Sequence, residues 1–147
     1  MGGSDMKLQT ASSVISFSRG LEEESARFYE ALAGRFSEGK DSFLSFAQEN
    51  RKYTKQVEMA YYGVISDAIE GCFAFDLEEG DYALDTKLSE GAGYADALSQ
   101  AVKVEEVMVR FYDVAAEQSK SLMADVPRAF MLISRKRGER LAKLKSL

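Results

Sequence analysis

Glu22 and Glu105 each stand seven residues before a tyrosine, Tyr29 and Tyr112. Asn50-x-x-Tyr53 and Arg137-x-x-Arg140 each follow a phenylalanine, Phe43 or Phe130, by seven residues. On a helix, positions seven apart share a face, so each group forms one polar step on a single helical stripe. Carboxylates can ligate a metal, carry a proton or pair with a cation; a guanidinium recognises carboxylates through a rigid fork of donors. The chain has no histidine, which removes the commonest metal ligand and the commonest base at neutral pH.

The stripes on which these residues fall are apolar. Leu98, Ala101, Met108, Tyr112 and Ala116 recur at helical spacing with Glu105 in their midst, whereas Glu106 is turned about 100° away toward solvent. Glu22 falls in the arc of Ile15, Ser25, Tyr29 and Phe36, while Glu23 points out. Asn50 and Tyr53 belong to the stripe of Phe43, Phe46, Ala47, Thr54, Val57, Tyr61 and Val64. Arg137 is central to the stripe of Phe130, Ile133, Leu141 and Leu144, with Arg140 at its edge; Arg135 and Lys136 fall outside it. A charge within an apolar stripe is costly unless a partner compensates it, so these residues are expected to meet one another.

The elements that must position them are helices. One proline in 147 residues and long stretches at helical period predict an all-α chain. The first helix is predicted from the Thr10–Ser13 cluster to about Phe36, followed by a turn over 37–41 with Asp41 or Ser42 as the next cap. The second runs to about Ile69. Residues 70–96, broken by Gly71, Gly80, Gly91 and Gly93, form a long connection with a structural task of its own. The third helix runs from about Tyr94 to Lys120, and Asp125-Val126-Pro127 opens the fourth. This predicts a four-helix bundle over 8–147, built of two helical hairpins joined by the crossover between helices two and three, after a flexible leader over 1–7.

An internal repeat supports two hairpins of common pattern. "LEEESARFYEALA" (21–33) aligns with "VEEVMVRFYDVAA" (104–116) at an offset of 83, and "FLSFAQENRKY" (43–53) with "FMLISRKRGER" (130–140) at an offset of 87. Glu22 then corresponds to Glu105, Asn50 to Arg137 and Tyr53 to Arg140.

This arrangement resembles the ferritin-like superfamily, and within it the small rubrerythrin-type proteins, over nearly the whole chain from about Lys7. The resemblance implies two irons held by one glutamate from each of helices one and three and a Glu-x-x-His pair from each of helices two and four. Glu22, Glu105 and the tyrosines seven beyond them match that pattern, as do "FDLEEGDYALD" and "GYADALSQAVKVEEVMVRFY". Asn50, Tyr53, Arg137 and Arg140 stand where the two pairs belong. With two carboxylates left and two guanidiniums added, the expectation is no metal and no cofactor. Two arginines and two glutamates are neutral in sum, so Arg137 and Arg140 are expected to pair with Glu22 and Glu105 where the metals would lie, with Tyr29, Tyr112, Tyr53 and Asn50 satisfying the remaining donors and acceptors. The implied function is a metal-free binding or structural module without catalytic residues.

Two other readings remain open. One is a di-iron or manganese oxidase or peroxidase of the rubrerythrin type with an atypical site, for which Glu22, Glu49 and Glu105 are the available ligands. Electron transfer through a cysteine-rich iron site is closed to a chain whose single cysteine is Cys72. The other is a docking protein that uses the basic last helix, with Arg135, Lys136, Lys143 and Lys145 facing solvent. A net charge of −5 argues against nucleic acid. The acids of the connection, Asp76, Glu78, Glu79, Asp81 and Asp85, lack a cation-loop pattern and read as solvated. No apolar run suits a membrane, and one cysteine without an intrachain partner suits a cytoplasmic setting, with Cys72 as a small apolar residue. Outer helix faces allow a homodimer. Phe73, Phe75 and Tyr82 are candidates for such a contact, although capping one end of the bundle is the favoured role for them.

Overall fold

The computed structural model describes residues 6–62, 75–121 and 125–147. It consists of four long helices, α1 (Ala11–Arg35), α2 (Lys40–Tyr62), α3 (Tyr94–Gln118) and α4 (Asp125–Ser146). α1 packs closely on α2 and α3 on α4; the two pairs meet mainly between α2 and α4. The predicted end of the second helix at Ile69 lies outside the described residues, as do Cys72 and Phe73.

Local chemistry sets the helix ends. Thr10 caps α1: its Oγ1 accepts from Ser13 N (3.1 Å) while Ser13 Oγ accepts from Thr10 N (3.2 Å), which satisfies two donors that a helix start leaves open. The turn after α1 is a short 3-10 segment, Ser37–Gly39, and α2 begins at Lys40, ahead of the cap positions expected at 41 and 42. Gly39 is required there by close approach, since a Cβ would stand 2.8 Å from the Tyr94 hydroxyl and 2.9 Å from the Phe43 ring. α3 opens with the Asp96 carboxylate accepting from Gly93 N at 2.9 Å. It closes at Gln118, with Ser119–Ser121 continuing as 3-10 helix, so the predicted end at Lys120 falls in that tighter turn. Pro127 sits in the first turn of α4, where no intrahelical donor is needed.

The described part of the connection, from Phe75 to Gly93, is mostly irregular, and side chains of α1 and α3 supply partners for its backbone. Arg35 donates to the carbonyls of Ser89 and Glu90, both at 2.6 Å, and of Ala92 at 3.2 Å. Gln100 donates to those of Asp85 (2.8 Å) and Lys87 (3.0 Å), and Arg110 to that of Asp81 (2.7 Å). Gln118 both accepts from Asp76 N and donates to Asp76 O. A segment without its own ladder is held in this way because its peptide groups still need partners.

One element was not predicted. Lys7–Leu8 (β1) pairs antiparallel with Leu77–Glu78 (β2), Lys7 opposite Glu78 and Leu8 opposite Leu77. The leader boundary drawn at residue 7 therefore falls inside a short strand, and Leu8 and Leu77 are buried. Phe75 and Tyr82 are buried as well, Tyr82 edge-on to Phe111 of α3 at 5.4 Å. Both therefore belong to the core and lack the exposure expected of a partner contact.

Candidate functional site: a buried carboxylate-guanidinium cluster

Helical periodicity carries Glu22 (α1), Asn50 and Tyr53 (α2), Glu105 (α3), and Arg137 and Arg140 (α4) to one level of the bundle. All are buried, Glu105 and Arg137 at 0% exposure. Arg140, expected at the edge of its stripe, is as deep as the rest at 3%, because the rings of Phe46, Tyr29 and Tyr53 enclose its guanidinium at 4.6, 5.4 and 5.6 Å. Arg135, Lys136 and Glu106 face solvent, as their helical angles require.

Arg137 lies between the two glutamates and uses its whole fork. Nη1 donates to both oxygens of Glu105 (2.7 and 2.9 Å), Nε to Glu22 Oε2 (3.3 Å), and Nη2 to Glu22 Oε1 and Asn50 Oδ1 (3.0 Å). All three nitrogens of the guanidinium are engaged. Arg140 donates through Nη1 to Asn50 Oδ1 (2.7 Å) and Glu105 Oε2 (3.4 Å), and through Nη2 to Phe46 O (3.2 Å) and Glu49 Oε1 (3.1 Å). Its Nε has no partner among the described residues.

The tyrosines cross between hairpins. Tyr29 of α1 donates to Glu105 of α3 at 2.6 Å, and Tyr112 of α3 donates to Glu22 of α1. Ser18 Oγ lies 3.0 Å from the Tyr112 hydroxyl, whose proton is already given to Glu22, so the serine is the donor. Asn50 Nδ2 donates to Glu22 O (3.1 Å) and to Ser25 Oγ (2.6 Å). Ser18, and Ser25 as a hydrogen-bonding member, were missed by the sequence reading. The signal was present, since Ser18, Glu22, Ser25 and Tyr29 follow one another at spacings of four, three and four. Tyr53 turns its ring face to the cluster, 5.3 Å from the Arg137 guanidinium carbon.

The two glutamates differ in their affinity for protons. Burial pushes Glu22 up, and Arg137 with Tyr112 only partly offsets this, so its pKa ends above the ordinary carboxylate value. Burial acts on Glu105 too, but Arg137, Arg140 and Tyr29 together outweigh it and hold its pKa below that value. Arg137 is desolvated, yet Glu105 and Glu22 raise its pKa well above the usual arginine value. Burial and the adjoining carboxylates raise Tyr29 and Tyr112 in the same sense, so both phenols stay neutral donors.

Set against protein-family models, curated proteins and solved structures, the chain has no match in any of the three comparisons. Among the described residues no three acidic, histidine or cysteine side chains are grouped so as to hold a metal ion. Glu49, the third ligand of the metal-binding alternative, is at the rim with its side chain 44% exposed and paired to Arg140, apart from Glu22 and Glu105. Nor does any helix of the described residues have the length and apolarity to cross a membrane.

Proposed function

We propose that this protein is a metal-free relative of the rubrerythrin-type ferritin-like bundles, a binding or structural module in which a salt-bridge cluster stands in for two irons. The observation that carries the reading is the position of Arg137, whose guanidinium fills the space between Glu22 and Glu105 and engages all four of their oxygens. The residues do not fit a di-iron centre. Their carboxylate oxygens are committed to guanidinium and phenol donors, and two fixed cations oppose a third and fourth. The reading also agrees with the internal repeat, which aligns Arg137 with Asn50 and Arg140 with Tyr53. A cytoplasmic setting goes with it, since a lone cysteine calls for no oxidising compartment.

Metal analysis of protein purified from iron-supplemented cells tests this proposal. The expected result is no stoichiometric metal; near-stoichiometric iron or manganese overturns it. The combined variant Asn50→Glu, Tyr53→His, Arg137→Glu and Arg140→His rebuilds the full ligand set and is expected to bind two irons.

A further inference from the structure

On the outer side of Arg140, α2 and α4 leave a cleft of about 200 Å³ open to solvent. Its walls include Glu49 and Tyr53 from α2 and Lys136, Glu139, Arg140 and Lys143 from α4. Three cations thus face two carboxylates, in a chain whose net charge is −5. The arginine side chain is 2% exposed and its Nε lacks an acceptor among the described residues. Its Nη2 is held by Glu49, a carboxylate that remains 44% exposed. Lys136 and Lys143 are both exposed, and neither forms an ion pair among the described residues, whereas Lys7 and Lys120 do. The Lys143 ammonium and the Arg140 guanidinium both lie near the Phe46 ring, at 5.6 and 4.6 Å from its centre.

We propose that this cleft binds a small oxyanion, a carboxylate or phosphate group, which takes the place of Glu49 on Arg140 and is gripped at the rim by Lys136 and Lys143. Glu49 shows that the outer edge of Arg140 is reached by a carboxylate from the cleft. Glu49 is 44% exposed, so water solvates its carboxylate on release while the incoming anion keeps the buried Arg140 paired. A guanidinium already fixed by Asn50 and Glu105 loses no side-chain freedom on binding, which favours a preorganised site. The volume is below the roughly 300 Å³ at which drug-sized ligand sites begin, so a single anionic group fits and a nucleotide does not.

The test is a titration of the full chain with inorganic phosphate and, separately, with acetate at constant ionic strength, followed by amide NMR shifts. Saturable shifts confined to residues 45–53 and 136–143 are expected, and the tighter of the two anions identifies the class. Glu49→Gln removes the internal competitor and should bind about tenfold more tightly; Lys136→Ala with Lys143→Ala should bind about tenfold more weakly. Both lysines are exposed, so that double variant keeps the wild-type melting temperature and the comparison holds even where Glu49→Gln lowers stability. Non-saturating shifts, shifts spread over the other basic residues, or affinities unchanged in both variants overturn the proposal. The inference goes beyond the metal-free reading, and the two fail separately: metal analysis reports on the space between Glu22 and Glu105, the titration on the outer edge of Arg140.

Discussion

The two hairpins share a sequence pattern but divide the charge unequally. α1 and α2 bring to the core one fully buried carboxylate, Glu22, with the neutral Asn50 and Tyr53; α3 and α4 bring Glu105 with two buried arginines. Taken separately, the first core face is anionic and the second cationic, and only their union is neutral. The tyrosines reinforce this division of labour, because each serves the glutamate of the opposite hairpin. The cluster therefore couples the halves: neither hairpin can satisfy its polar core alone, and a buried charge without a partner is among the costliest defects a core can hold.

The hardest blow to this arrangement is Arg137→Ala. It takes from Glu22 its hydrogen-bonded cation, removes the closer partner of Glu105 and opens a void, at about 5 kcal/mol, the upper end of the range for a broken buried pair. Urea denaturation reads it; a midpoint equal to wild type would show that the cluster is not buried in solution. Glu105→Ala, which leaves half of Arg137 uncompensated and Arg140 with Glu49 as its one carboxylate partner, should cost roughly 3–5 kcal/mol in the same measurement.

Conservative amides sharpen the contrast between the glutamates. Glu105→Gln should cost about 2–3 kcal/mol and Glu22→Gln about 1 kcal/mol at neutral pH, since Glu105 anchors both arginines while burial makes the charged form of Glu22 less favourable than that of an ordinary carboxylate. Their pH dependences should have opposite signs. The depressed pKa of Glu105 gives stability that is present above its unfolded pKa and lost as pH falls through the folded value. The wild-type advantage over Glu105→Gln therefore grows from acid to neutral pH. The raised pKa of Glu22 gives stability that is present below its unfolded pKa and lost as pH rises through the folded value. The advantage over Glu22→Gln shrinks over the same interval. Urea midpoints between about pH 3 and 7 decide this, and parallel profiles would refute the asymmetry.

Tyr29→Phe and Tyr112→Phe should each cost about 1.5 kcal/mol, the loss of one hydrogen bond to a charged acceptor. Comparable values would support reciprocal roles; a silent Tyr29→Phe would mean that Glu105 needs only its arginines. The smallest effect is a gain. Gly138 lies within α4 and a Cβ there would meet nothing within 4 Å, so Gly138→Ala should stabilise the protein by about 0.5–1 kcal/mol in thermal unfolding. Gly39→Ala in the first hairpin turn should instead destabilise it, because the added carbon collides with Tyr94 and Phe43.

Much of this was legible in local periodicity. Helical spacing turned Glu22, Glu105 and Arg137 inward and Glu106, Arg135 and Lys136 outward, and the structure agrees residue by residue. The cap at Thr10 followed from its chemistry. The pairing of Lys7–Leu8 with Leu77–Glu78 was not legible, since two residues are too short to carry a strand pattern and their partner lies some 70 positions away. The depth of Arg140 was misjudged for a related reason. An angle on one helix places a side chain relative to its own axis, whereas Phe46 and Tyr29, which enclose it, come from two other helices.

The sequence by itself determined which side chains face the core, because a helix fixes the angle between its residues whatever surrounds it. It also determined that the buried charges sum to zero. Only the tertiary structure decided that Arg137 spans both glutamates, that each tyrosine crosses to the opposite hairpin, and that Glu49 holds the outer edge of Arg140. The same packing sets Glu22 above and Glu105 below the ordinary carboxylate pKa, although the repeat makes them equivalent. Their difference comes from the distance to a second guanidinium across a water-poor interior, and that distance exists only once the helices are assembled.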